Sequence, residues 1–167
     1  MRLPNGTGKG VPQAVVLSGA EPLADLIAER RPNALLVGPD GESAQWIAQA
    51  AARHGFDHAV CTKVRHGDRQ VAIELPALNA LGRAVVLLDD MASTGRTLAL
   101  AARLLLQAGA ASVDVAVTHA LFAGDALQVL HEAGVGEVWS TDCIPHPSNA
   151  VPMAGPLATA LQSVLRT

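Results

Sequence analysis

The chain contains no tyrosine and only two phenylalanines and two tryptophans among 167 residues, so aromatic packing cannot build its core. Its two cysteines, Cys61 and Cys143, are too few for a disulfide framework and lack metal-ligand spacing. No apolar run approaches the roughly 20 residues needed to cross a bilayer. Met1 to Pro12 is polar and Gly-rich, without the apolar stretch of a signal peptide. Positive charge is scarce. Lysine occurs only as Lys9 and Lys63, and the net charge of −3 argues against nucleic-acid binding through a basic face. A cytoplasmic protein with neither nucleic-acid nor membrane partners is expected.

Half of the residues are hydrophobic, so Ala, Val and Leu must fill the interior, and the length suits one domain with a real core. Residues 1–12, with Pro4, Gly6, Gly8, Gly10 and Pro12, read as a flexible leader and residues 13–167 as the domain. Gly6-Thr7-Gly8-Lys9-Gly10 is not a nucleotide loop: no strand precedes it and no Gly-Lys-Ser/Thr follows at the required spacing.

The segment Val85-Val86-Leu87-Leu88-Asp89-Asp90-Met91-Ala92-Ser93-Thr94-Gly95-Arg96-Thr97-Leu98 organises the rest. Four apolar residues without alternation predict a strand buried on both faces. Two adjacent carboxylates then force that strand to the surface. Leu98, Ala101, Ala102 and Leu105 recur at helical spacing, and Gly109 marks a stop. A strand, a polar turn and a helix in succession direct free backbone N–H groups at an anion. The hydroxyls and amides of residues 93–97 suit a phosphate, and Asp89 and Asp90 suit vicinal sugar hydroxyls or a divalent cation. Together they describe a site for a pentose 5-phosphate.

Along the chain, strands are predicted near Ala14–Leu17, at Ala34–Gly38, His58–Thr62, Ser112–Thr118 and Glu137–Thr141. Val71–Leu75 reads as the outer strand of a hairpin. Helices are expected after Glu21-Pro22, from Ser43 to about His54 with Ala44, Ile47, Ala48 and Ala51 on one face, at Gly124–Ala133, and from about Pro156 to Leu165. Apolar strands alternating with helices predict an α/β fold: a doubly wound, mostly parallel sheet with helices on both faces and ligands at the carboxyl ends of its strands. Pro39-Asp40-Gly41-Glu42-Ser43 forms a second strand-to-helix turn of the anion-binding kind. Lys63, Arg65, His66 and Arg69 concentrate positive charge in what reads as a loop, which suits a transferring phosphoryl group. Thr141, Asp142 and His146 cluster at another strand end. For His119 and His146 a structural role is the commoner one.

The strand–DDxxSTGxT–helix array resembles the phosphoribosyl-diphosphate signature of type I phosphoribosyltransferases and of ribose-phosphate diphosphokinases (PRPP synthetases). Thr118-His119-Ala120-Leu121-Phe122, Thr141-Asp142-Cys143-Ile144-Pro145-His146 and Ser148-Asn149 resemble segments of the diphosphokinases, in the same order. The likeness runs from about Ala20 to the C-terminus and corresponds to the C-terminal half of such a synthetase. It implies a type I phosphoribosyltransferase-like fold and transfer of pyrophosphate from Mg·ATP to ribose 5-phosphate, giving 5-phosphoribosyl 1-diphosphate (PRPP). By the same resemblance Asp89, Asp90, Ser93, Thr94, Gly95, Arg96 and Thr97 bind ribose 5-phosphate or PRPP. Asp40 serves Mg²⁺, and Lys63 and Arg65 are catalytic, on a mobile loop. Asp-Gly-Glu-Ser-Ala-Gln-Trp from Asp40 resembles the archaeal-type branch. A homo-oligomer, or association with a complementary half, is implied as well. Two other functions stay open: a non-catalytic partner subunit of a synthetase, and a PRPP-dependent phosphoribosyltransferase.

Overall fold

The structure is a computed structural model that describes residues 14–66, 70–76 and 79–165; the expected leader, residues 1–12, lies outside them. Contacts divide the chain into a main unit, Ser18–Met153, and a second one made of the segments that flank it. The main unit opens with helix α1 (Ala20–Arg30), strand β1 (Leu35–Gly38), helix α2 (Ala44–His54) and the short strand β2 (His58–Val60). A hairpin of β3 (Thr62–His66) and β4 (Gln70–Glu74) follows, then β5 (Ala84–Ala92), α3 (Arg96–Gln107) and β6 (Ser112–Ala120). Helix α4 (Ala126–Glu132) leads to β7 (Val135–Thr141) and β8 (Asn149–Val151). In the second unit, helix α5 (Ala154–Leu165) is described together with residues 14–17.

Six strands form one sheet in the order β2-β1-β5-β6-β7-β8, and every pairing in it is parallel. Because successive side chains point to opposite faces, β5 feeds two cores. Val85 and Leu87 pack with Leu98, Ala101, Ala102 and Leu105 of α3. Val86 and Leu88 pack with Leu23 and Ile27 of α1 and with Ile47, Ala50 and Ala51 of α2. Burying each such Leu, Ile or Val contributes about 1.5–3 kcal/mol, and the many alanines take the place of aromatic bulk. The predicted doubly wound sheet is therefore the observed one.

Several expectations are corrected. Among the described residues Ala14–Leu17 pairs with no strand; Val15 and Val16 are 51% and 85% exposed, so their apolar character buries nothing in a sheet. The buried face of α2 is Ile47, Ala50 and Ala51, while Ala44 and Ala48 are exposed. A 3-10 turn at Gly41–Ser43 precedes this helix, and Ile47, Ala50 and Ala51 are the residues that meet the core shared with α1 and β5. The strand expected at His58–Thr62 is broken at Cys61, and Thr62 begins the hairpin instead. Lys63 and Arg65 accordingly stand on a strand, not in a loop. Thr62–His66 meets Gln70–Glu74 antiparallel, and this satisfies backbone groups that a loop would leave to water. Strand β8 was not foreseen; it has three residues and follows a loop.

Candidate functional site

The site lies where the winding reverses. Adjacent strands β1 and β5 send their helices, α2 and α3, to opposite faces, which opens a crevice beyond their carboxyl ends. Strand β5 pairs with β1 only as far as Leu87, yet it pairs with β6 as far as Ala92. Its last residues thus project past one neighbour and carry Asp89 and Asp90 to the edge of the crevice. Asp40, Glu42 and Trp46 wall the other side, and Met91 through Leu98 complete a cleft of about 300 Å³. Asp40, Asp89, Asp90, Ser93, Thr94, Gly95, Arg96 and Thr97, all expected as site residues, come together in this one cleft.

Gly95 makes the turn possible. It caps α3 at φ +69°, in the left-handed region, and contributes no capping side chain. A Cβ there would meet the Ala126 carbonyl oxygen at 3.2 Å and Leu130 Cγ at 3.3 Å. Among the described residues, the amides of Thr94 to Thr97 donate to no backbone carbonyl, and the side chains of Ser93, Thr94, Arg96 and Thr97 have no hydrogen-bond or ion-pair partner. Four amides at a helix N-terminus and three hydroxyls therefore face the cleft free, the chemistry of a phosphate site. Gly95→Ala is expected to lower stability by about 2 kcal/mol through left-handed strain and the close contact with α4. In thermal melts this corresponds to roughly 6 °C; an unchanged melting temperature would show that the turn relaxes freely.

The acidic side of the cleft is electrostatically loaded. Asp40 Oδ1 accepts from the Glu42 amide at 3.0 Å, and Asp40 Oδ2 lies 3.8 Å from Lys63 Nζ. That ion pair joins the expected metal residue to the expected catalytic lysine across two strand ends. Arg65 stands two positions further along β3, in register with Val71. The Asp90 amide donates to Asp89 Oδ1 at 3.0 Å. Burial pushes the Asp89 carboxyl up to about 7, and the charges of Asp90 and Asp40 add to the rise.

A pH dependence follows from that shift. Between the ordinary carboxylate value of 3.8 and about 7, folded Asp89 holds a proton that the unfolded chain has lost. Stability therefore falls as pH rises through this window. Asp89→Asn is expected to stabilise the ligand-free protein at pH 8 by about 2 kcal/mol, discounted for the water the carboxylate still touches. The gain should disappear near pH 4. Melts at both pH values check this, and equal offsets at the two would mean that Asp89 is not protonated in the fold.

Among the described residues, no three His, Cys, Asp or Glu side chains converge on one point. Mg²⁺, however, is commonly held by one or two carboxylates together with substrate phosphates and water. Asp40, Asp89 and Asp90 line one cleft, and the charges of Asp90 and Asp40 add to the cost of ionising Asp89, which a cation would relieve. The residues fit a cation that arrives with a phosphorylated ligand.

Other strand ends support the cleft. Thr141 Oγ1 donates to the Thr118 carbonyl at 2.6 Å, and the Asp142 Oδ1 atom accepts from the Met153 amide at 2.8 Å. His146 is held by Ser148 and Asn149, and His119 is exposed at the end of β6. Sequence reasoning missed Trp46 as a cleft residue; its place in the first turn of a helix after an anion-binding loop was the available signal. It gave Leu121 and Phe122 only as part of a family resemblance, with no role at the cleft.

This fold and cleft define the class. The chain belongs to the family whose model is described as the phosphoribosyl transferase domain, which matches residues 13–142. Its curated relatives include the ribose-phosphate pyrophosphokinase of Methanopyrus kandleri, 34% identical over 150 residues, covering 89% of this chain and 52% of the relative. Ribose-phosphate pyrophosphokinase 1 of Archaeoglobus fulgidus is 37% identical over 148 residues, covering 88% of this chain and 52% of that one. Among solved structures, the phosphoribosylpyrophosphate synthetase of Mycobacterium smegmatis superposes with a TM-score of 0.69 at 27% identity, covering 89% of this chain and 51% of that chain. The APRTase of Giardia lamblia shares the fold, with a TM-score of 0.58 at 19% identity over 72% of this chain and 75% of that chain. The chain spans about half the length of the curated relatives it matches, and the resemblance to ribose-phosphate diphosphokinases read from the motifs is borne out. Among the described residues no helix is long and apolar enough to cross a membrane.

Proposed function

We propose that this chain is the ribose-phosphate-binding half of a ribose-phosphate diphosphokinase, acting in pyrophosphate transfer from Mg·ATP to the 1-hydroxyl of ribose 5-phosphate. The observation that supports this most directly is the single cleft in which free amides and hydroxyls stand opposite a pair of carboxylates. Ser93, Thr94, Thr97 and the amides at the start of α3 hold the 5-phosphate. Asp89 and Asp90 accept hydrogen bonds from the ribose hydroxyls and fix the sugar's orientation. Asp40 would hold Mg²⁺, which would supply positive charge to offset that of the phosphates. Lys63 and Arg65 stabilise charge on the group in transit, and catalysis is mostly positioning and electrostatics. Glu42 repels an unaccompanied polyphosphate, so ATP enters with its cation.

A second reading is a ribose-phosphate-binding partner subunit without turnover of its own. Helix α5 favours it: the helix carries no charged residue, and Leu157, Leu161 and Leu165, spaced four apart, are 57%, 59% and 76% exposed. A stripe of this kind suits a protein partner.

The test is calorimetric titration of ribose 5-phosphate and of Mg·ATP into the purified chain, followed by an AMP-release assay on the mixture. Binding with AMP release is the result expected of a diphosphokinase. Binding of ribose 5-phosphate without AMP supports the partner reading. Failure to bind any ribose phosphate defeats both.

A further inference from the structure

A turn that binds phosphate must do more than present amides. Its carbonyl oxygens carry partial negative charge and must be held away from the ligand. Here the segment after β6 does this. The Leu121 and Phe122 amides both donate to the Ala92 carbonyl, at 3.1 and 2.9 Å, and the Ala123 amide donates to the Ser93 carbonyl at 3.0 Å. The two carbonyls that enter the turn are thereby drawn to its rear.

Three amides converge in this way only because the chain bends sharply at Phe122, whose φ is +28°. This is an outlier for a bulky residue. A glycine would adopt it without strain, yet the position holds a phenylalanine. The ring is the reason: it is 9% exposed, belongs to the core beneath α3, and lies 5.0 Å from the His146 ring at 42°. His146 is itself fixed, because its amide donates to Asn149 Oδ1 at 2.9 Å and its Nδ1 lies 2.7 Å from Ser148 Oγ. Packing thus over-determines a strained backbone that sits directly behind the cleft.

We propose that Phe122 is a positioning residue for the phosphate turn: its buried ring, braced by His146, holds residues 121–123 so that their amides pull the Ala92 and Ser93 carbonyls out of the ligand's way. The inference rests on the reading of residues 93–97 as a phosphate site. It adds a residue that touches no ligand and acts through the backbone.

The experiment compares the wild-type chain, Phe122→Ala, Phe122→Tyr and a control, Leu23→Ala, which empties the core on the other face of the sheet. Ribose 5-phosphate affinity is measured by calorimetry, and amide hydrogen exchange is followed in the ligand-free proteins. Phe122→Ala is expected to weaken binding about tenfold or more and to speed exchange at residues 121–123. Phe122→Tyr should restore both, and Leu23→Ala should leave affinity within about twofold despite a comparable loss of stability. If Phe122→Ala does not fold, Phe122→Leu, which keeps bulk without the ring, is held to the same comparison. Equal affinities for the Phe122 variants and the control would overturn the proposal. Should the wild type itself bind no ribose 5-phosphate, the functional reading fails, and exchange alone decides the clamp: faster exchange in Phe122→Ala sustains it, and unchanged exchange removes it.

Discussion

Replacement of Asp89 and Asp90 together by asparagine is expected to weaken ribose 5-phosphate binding at least about 100-fold while the chain stays folded. The magnitude follows from the interactions lost. Hydrogen bonds to charged acceptors contribute about 1.5–3 kcal/mol each, and every 1.4 kcal/mol is a factor of about ten in affinity. Asparagine keeps the shape and one carbonyl acceptor, so the Asp90 amide retains its partner at position 89. Folding should not suffer, because ionised Asp89 is a cost to the fold at neutral pH, with burial pushing its carboxyl up to about 7. The double variant should therefore melt higher than the wild type at pH 8 and yet bind far less. Calorimetry and thermal melts on one preparation separate the two effects. Unchanged affinity would remove the central site assignment, and a collapsed fold would mean that the carboxylates serve the sheet rather than the ligand.

Lys63→Ala is expected to lower kcat in the AMP-release assay by about 100-fold or more, with ribose 5-phosphate affinity changed by no more than about twofold. The asymmetry arises from position. Lys63 stands on the hairpin, 3.8 Å from Asp40, and Asp40 lines the cleft together with the 93–97 turn. A cation there meets charge that develops on the phosphates in transit, and interactions made only in the transition state appear in kcat. Equal losses in kcat and affinity would place Lys63 on ground-state phosphate instead. Lys63→Arg should recover part of the rate, since it keeps the charge but not the compact point geometry of the ammonium.

Which features could be read in advance follows from the range of the forces involved. Residues 85–98 encode strand, turn and helix within one short window. Unbroken Val and Leu, a carboxylate pair, small hydroxyl residues and a glycine that tolerates φ +69° each act locally. The same holds for the alternation that predicts β4. Where the readings failed, a long-range partner was decisive. Val15 and Val16 have strand-like residues but pair with no strand among the described residues, and the buried face of α2 is the one that meets α1 and β5. Thr62–His66 became a strand because Gln70–Glu74 pairs with it.

The sequence alone determined the doubly wound class and the local chemistry of the acidic pair and the 93–97 turn, because strand periodicity, helix caps and glycine freedom are properties of a few neighbouring residues. Only the tertiary structure decided that Asp40 faces Asp89 across a crevice, that Lys63 reaches Asp40, and that Phe122 is bent to φ +28° behind the turn. Each of these depends on which strands are neighbours in the sheet. Strand order is set by the packing of two cores on opposite faces, which no window of the sequence contains.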